Sequence, residues 1–235
     1  MSAKHVVWGL CLVLLLGCAP AFAQSAKPKS HVDLGAFTKE VMQLKIDGDQ
    51  SQMAVWAPTE FFVQADMSDG SDTLESAQHT FAFLQPYIIM IVQCSLQKDD
   101  GTDVYATEHD VRSRAALVLA DGSQVLPLQT VPPTVAAVAT VLKSAISQGG
   151  GEDDKSLYVL IFPATTKNGK PIVDTSKKDK LALELKSTDS YHLVDFVWRT
   201  PFDTTHPIAN CPYCGGQLSA KWSFCPWCGK PIEQK

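Results

Sequence analysis

Two copies of one short pattern near the carboxyl end, Cys211-Pro212-Tyr213-Cys214-Gly215 and Cys225-Pro226-Trp227-Cys228-Gly229, constrain the fold of this chain more than any other stretch. Two residues separate the cysteines of each pair, so both sulfurs of a pair turn into one tight loop and reach the same ion. Two such loops supply four thiolates, enough to close a tetrahedral site. The glycine after each pair lets the backbone take φ > 0 and aim N–H groups at the sulfurs. Lys221 and Lys230 lie close enough in sequence to help offset the thiolate charge. No fifth cysteine or nearby histidine suggests an open position, which points to a structural rather than a catalytic site. The expected ligands are therefore Cys211, Cys214, Cys225 and Cys228, around one structural Zn²⁺.

The stretch Asn210 to Ile232 resembles the short bacterial zinc ribbon with paired Cys-Pro-x-Cys-Gly knuckles. The resemblance implies a small β-hairpin module holding one zinc through the four matching cysteines. It says little about activity, because related ribbons serve as interaction modules, nucleic-acid contacts or folding clips. Cys211-Pro212-Tyr213-Cys214 also looks like a glutaredoxin active site. That reading needs the motif at a helix start within a βαβ domain, with the first thiol acidified by the helix end. Here a second Cys-Pro-x-Cys motif follows and the chain ends soon after.

At the amino end, Lys4 and His5 precede an apolar run from Val6 to Gly17, and Ala21-Phe22-Ala23 offers the small residues a signal peptidase reads. This predicts an export signal cut after Ala23. A second reading competes: Leu15-Leu16-Gly17-Cys18 resembles a bacterial lipobox, which would place a lipid on Cys18. A retained anchor is disfavoured because the run is short for a bilayer and Pro20 interrupts it. The domain plan that follows is an export signal over 1–23, a spacer over 24–35, a β body over 36–200, a linker over 201–209 and the ribbon over 210–235.

The body reads as mainly β (α+β), an antiparallel immunoglobulin-like sandwich with helical insertions. Val41 to Ile46 and Gln52 to Trp56 flank the Asp47-Gly48-Asp49 turn as a hairpin. Tyr87 to Leu96 is a continuous β-branched run, expected as a central strand buried on both faces and carrying Cys94 as an inert core residue. Further strands are expected at Val104 to Thr107, Arg114 to Leu119, Gln124 to Leu128 and Leu157 to Phe162, with two more around Leu181 to Leu185 and Val194 to Trp198. Helices are expected from Pro58 to Met67, from Thr73 to Leu84 after an N-cap at Asp72, and from Thr134 to Gln148, whose apolar stripe is Val135, Val138, Ala139, Leu142 and Ile146. The acidic turn Asp66 to Asp72 lacks the bidentate glutamate of a calcium loop, and Glu75 with His79 reads as an exposed helical pair rather than a metal site.

Charge bears on partners. From His31 to His206 there are 14 Lys and Arg against 24 Asp and Glu, a balance of −10, whereas the segment from Pro207 onward carries three Lys against Glu233, or +2. An acidic body disfavours nucleic acid. No nucleophile elbow, metalloprotease helix, phosphate loop or dinucleotide fingerprint is present, and His31, His79, His109, His192 and His206 are scattered singly. The expectation is a non-catalytic, exported envelope protein whose β body and ribbon bind or position another protein, with the membrane reached only through a lipid on Cys18. The alternative is an envelope thiol-redox or metal-handling protein that uses the Cys-Pro-x-Cys pairs.

Overall fold

The computed structural model describes residues 32–68, 73–147, 156–206 and 209–232. The export signal, the lipobox, residues 24–31 and most of the acidic turn before Thr73 lie outside them. Among the described residues no helix is long and apolar enough to cross a membrane.

Among the described residues the architecture is mixed α/β, with two antiparallel sheets and five α-helices, and is not a barrel. The first sheet contains β1 (Met42–Asp47), β2 (Gln50–Ala57), β3 (Tyr87–Gln97), β4 (Asp103–Tyr105) and β7 (Tyr158–Pro163). β3 is its axis: β2 pairs along one side, and β7 and β4 share the other. The second sheet runs β6 (Gln124–Val125), β5 (Ala115–Val118), β8 (Asp179–Leu185), β9 (Val194–Thr200). Antiparallel sheets with helical insertions match the expectation, but helices carry more of the chain than a mainly β reading allows. The strand order lends no support to an immunoglobulin-like assignment.

Alternation along β3 explains its unbroken apolar run. Ile88, Met90, Val92 and Cys94 join the main core, which they share with Ala54 and Trp56 of β2, Leu160 and Phe162 of β7, and Leu117, Leu181, Leu183, Phe196 and Trp198 of the second sheet. Ile89 lies on the other face, where with Ala57 and Ile161 it packs under Val135 and Ala139 of α5 (Pro133–Ser147). A strand buried on both faces has no polar side to show in sequence.

Two helices were not anticipated. α1 (Leu34–Val41) begins on Asp33, whose carboxylate accepts the Ala36 N–H at 3.1 Å. Val41 therefore ends a helix, and β1 starts one residue later. α4 (Glu108–Arg114) is held by a capping box in which Thr107 and Asp110 bond each other's backbone N–H groups. Arg114 is consequently the last helical residue rather than the first of a strand. α2 (Thr59–Met67) and α3 (Leu74–Phe81) match expectation closely, although α3 is capped by Thr73 and passes into a 3-10 turn over Ala82–Leu84.

Residues 201–206, expected as linker, carry a core anchor. Phe202 is buried against Phe37 and Trp56, with ring centroids 5.1 and 5.2 Å apart. Trp56 in turn meets Trp198 edge-on at 6.2 Å. This aromatic run joins α1, β2, β9 and the segment that leads into the ribbon.

Because α4 buries mainly Val111 and Arg114, its cap carries much of its local stability. Thr107→Ala should lower stability by about 1 kcal/mol, read as a lower urea midpoint at unchanged slope. An unaltered midpoint would mean that packing alone holds α4.

Candidate metal centre

Each knuckle is built by the same hydrogen bonds. In the first, the Cys211 N–H donates to Gly216 O and the Gly215 N–H to Cys211 O, both at 2.8 Å; in the second, the Cys225 N–H donates to Lys230 O and the Gly229 N–H to Cys225 O, again at 2.8 Å. Single bridges, Asn210 with Gln217 and Phe224 with Pro231, close the two loops. The ribbon is thus an internal repeat, in which Cys211 and Cys225, Cys214 and Cys228, and Leu218 and Ile232 occupy equivalent places. Leu218 packs with Cys211 and Cys225, and Ile232 adds partial cover.

Gly215 and Gly229 adopt φ of 73° and 70°, the left-handed region that favours glycine. Their own N–H groups close the turns, and the N–H groups that reach sulfur come from their neighbours. Tyr213 and Cys214 donate to the Cys211 sulfur, Gly216 to that of Cys214 and Lys230 to that of Cys228.

All four sulfurs lie within 4.8 Å of one another, with Cys211 and Cys225 buried and Cys214 and Cys228 exposed. Such a cluster can hold a metal ion. Burial disfavours the Cys211 thiolate, but the N–H donors of Tyr213 and Cys214 and its sulfur neighbours outweigh that and bring its pKa down to about 7. At Cys214 the Gly216 N–H favours the thiolate, yet partial loss of water around the sulfur and the neighbouring sulfurs Cys225, Cys211 and Cys228 push the pKa up to about 12. One thiolate forms readily and the next is opposed by it. A dication among the sulfurs removes that opposition, so the donor set fits a metal.

Cys211 to Cys214 lies in a turn and starts no helix, so the helix end that a glutaredoxin-like thiol needs is missing. Cys94 is buried, and burial pushes its pKa to about 11 against the opposing effect of Arg114. It is a core residue. Among the described residues no other group of three or more His, Cys, Asp or Glu side chains gathers, so Glu75 and His79 find no third ligand on α3. His192 pairs with Asp47 at 2.9 Å, and His206 contacts Thr205 and Phe202.

The two lysines expected near the sulfurs are used differently. Lys221 donates to Glu40 of α1 at 2.5 Å and lies 3.5 Å from Asp203. Lys230 sits 6.0 Å above the Tyr213 ring. At the place equivalent to Lys230, Gly216 lies against the Trp227 ring, where a Cβ would come within 2.9 Å.

Lys221 belongs to a polar seam that fastens the ribbon to the body. Glu40 also accepts the N–H groups of Asp203 and Thr204 and the Thr204 hydroxyl. Asp203 accepts the Ser219 hydroxyl and the Ala220 N–H, while Lys178 of the body donates to Trp222 O and the Ser223 hydroxyl. The body therefore grips the connection between the knuckles. Tyr213, Phe224 and Trp227 remain 63, 63 and 60 % exposed and Trp222 37 %, with Trp222 and Trp227 edge-to-face at 5.5 Å.

Residues 206–233 match a family described as a domain of unknown function, DUF7575. That match and the four cysteines fit a zinc-ribbon-like knuckle pair. The comparison with curated proteins gives no match. A crystal structure of a DUF4426 family protein from Pseudomonas aeruginosa PAO1 is similar at 11% identity and a TM-score of 0.29, over 68% of this chain and 93% of that one. A likeness that loose does not define the fold.

Burial alone would raise the pKa of Glu40, but Lys221, the Thr204 hydroxyl and the two N–H donors lower it below 4.5. The stabilisation is thus complete above 4.5 and is lost as pH falls through the lower folded value. Protease protection of the ribbon should weaken below about pH 4.5. Glu40→Gln should weaken it already at pH 7 and flatten that pH dependence. Equal protection of the two proteins at pH 7 would show that the seam does not hold the ribbon.

Proposed function

We propose that this chain is a non-catalytic, exported envelope protein whose ribbon is a zinc-held module presenting an aromatic surface to a protein partner. The supporting observation is the arrangement of the ribbon: four sulfurs converge on one point, the body grips the connecting segment, and four aromatic side chains are left partly or largely exposed. A segment this small cannot bury so many rings, and exposed aromatics on a rigid support are the side chains protein interfaces favour.

Zinc suits the donor set. Four thiolates in a closed tetrahedral site are the ligands of structural zinc, and iron is the other metal that takes them. The metal would supply the cross-link that a tiny apolar centre of Leu218 and Ile232 cannot. Tyr213, Cys214, Gly216 and Lys230 would orient and partly neutralise the sulfurs through their N–H groups. Export places thiols where oxidation is the ordinary fate, and bound metal protects them. The amino-terminal pattern supports export, with either cleavage after Ala23 or a lipid on Cys18.

Two measurements test this reading. Native mass spectrometry of the protein isolated from its envelope should give one zinc per chain, with five free thiols after denaturation, the four of the ribbon and Cys94. Cys214→Ser should lose the metal and the protease resistance of the ribbon while the body stays folded. A zinc-free protein about 4 Da lighter, carrying two disulfides, would transfer the function to thiol chemistry. For the partner, a photo-crosslinker at Phe224 should give a discrete protein adduct in the envelope, absent when it sits in the Lys167 turn. Trp227→Ala should abolish that adduct at unchanged zinc content. Identical adducts from both positions would leave the aromatic surface without a role.

A further inference from the structure

Among the edge strands of the two sheets, β9 and β7 have outward-facing peptide groups taken up by the body, and β1 does not. At β9 the N–H and C=O of Val197 are both taken by the Gln43 amide, at 3.3 and 2.8 Å. At β7 the carbonyl of Ile161 accepts the Leu128 N–H at 2.7 Å and that of Val159 accepts Arg112 at 3.5 Å. β1 is one edge of the first sheet, pairing only with β2. Asp47 pairs with Gln50 across a two-residue turn. Alternation then directs the peptide groups of Leu44 and Ile46 away from β2. Those groups have no partner among the described residues.

The strand is also apolar on one side and firmly held on the other. Leu44 and Ile46 are 57 and 71 % exposed, on the face they share with Met42. Gln43 and Asp47 point to the opposite face, where they bond Val197 of β9 and His192 of the loop that leads into it. A fixed, uncovered edge with exposed apolar residues is a template for another strand.

The charge order selects a second copy as that strand. On the inner face Lys45 and Asp47 are alternate residues of opposite sign. A twofold axis through Ile46 sets Lys45 opposite Asp47 of the second copy, twice, and Ile46 against its own counterpart. It also sets Leu44 over Gly48 of the second copy, where no atom lies within 4 Å of a Cβ position. Opposite charges directly across a strand pair stabilise it, and this pattern repeats by symmetry. We propose that β1 is a self-association edge through which two copies pair antiparallel, joining their five-stranded sheets into one.

The test is the molar mass and dimerisation constant of the full exported chain, zinc-loaded, by sedimentation equilibrium. The native protein should dimerise, and Ile46→Lys should be monomeric. Lys45→Asp should weaken the dimer about tenfold or more, because both facing pairs become like-charged. Lys45→Asp combined with Asp47→Lys should restore it. Unchanged circular dichroism and zinc content show that each variant folds. A monomeric native chain, a dimer indifferent to Ile46→Lys, or a failure of the charge exchange to restore pairing would each overturn the proposal. The first is also the result expected if β1 receives a strand from a different protein.

Discussion

Four sulfur atoms within 4.8 Å of one another cannot all carry charge unless a cation lies among them, and the ribbon has little else to hold it. Its apolar centre is Leu218 and Ile232 against two of the cysteines, far below what a freestanding domain needs. The repeated hydrogen bonds fix the shape of each knuckle, but each loop is closed by a single bridge. The thiol pKa values move apart, to about 7 at Cys211 and about 12 at Cys214, which is the signature of like charges crowded into one place. A dication bound there would convert that repulsion into the main cohesive force of the module.

The acidic body answers this at the seam. Glu40 and Asp203 engage Lys221, Ser219 and the backbone between the knuckles, so a fraction of the body's negative charge is satisfied by the ribbon. The carboxylates grip the connecting segment and leave the sulfur loops free. That division allows metal and body to stabilise different parts of one small unit, and it fixes which rings face outward. Phe202 continues the attachment into the main core, so the seam does not hang from a loose tether.

What could be read in the sequence was what repeats locally. The cysteine spacing, the β3 run and the stripe of α5 each complete their pattern within a few residues, and all three stand where expected. α4 leaves little trace in the sequence because Glu108–Arg114 has one apolar residue, Val111, and its real signal is the Thr107 and Asp110 cap. The burial of Arg114 was beyond reach for a different reason. Its bonds go to Lys186 O, His192 O and Gln52, at separations of 72, 78 and 62 residues, and only the assembled sheets bring these together. The same holds for Lys221 and Glu40, 181 residues apart, where nearness in sequence had suggested the sulfurs as the partner of Lys221. For α1 the sequence places 34–35 in a spacer, gives 36–40 no element and starts a strand at the β-branched Val41, whereas Asp33 caps a helix that runs to Val41.

The ribbon proposed here is a metal-dependent unit seated on a body that folds without it. Hydrogen exchange of the full chain, with zinc and after chelation, tests that most directly. The expected result is loss of protection over 209–232 and at Asp203 and Thr204 on removing the metal, with β3, β7 and β8 unchanged. A ribbon that keeps its protection without metal would contradict the account, and so would a body that unfolds with it.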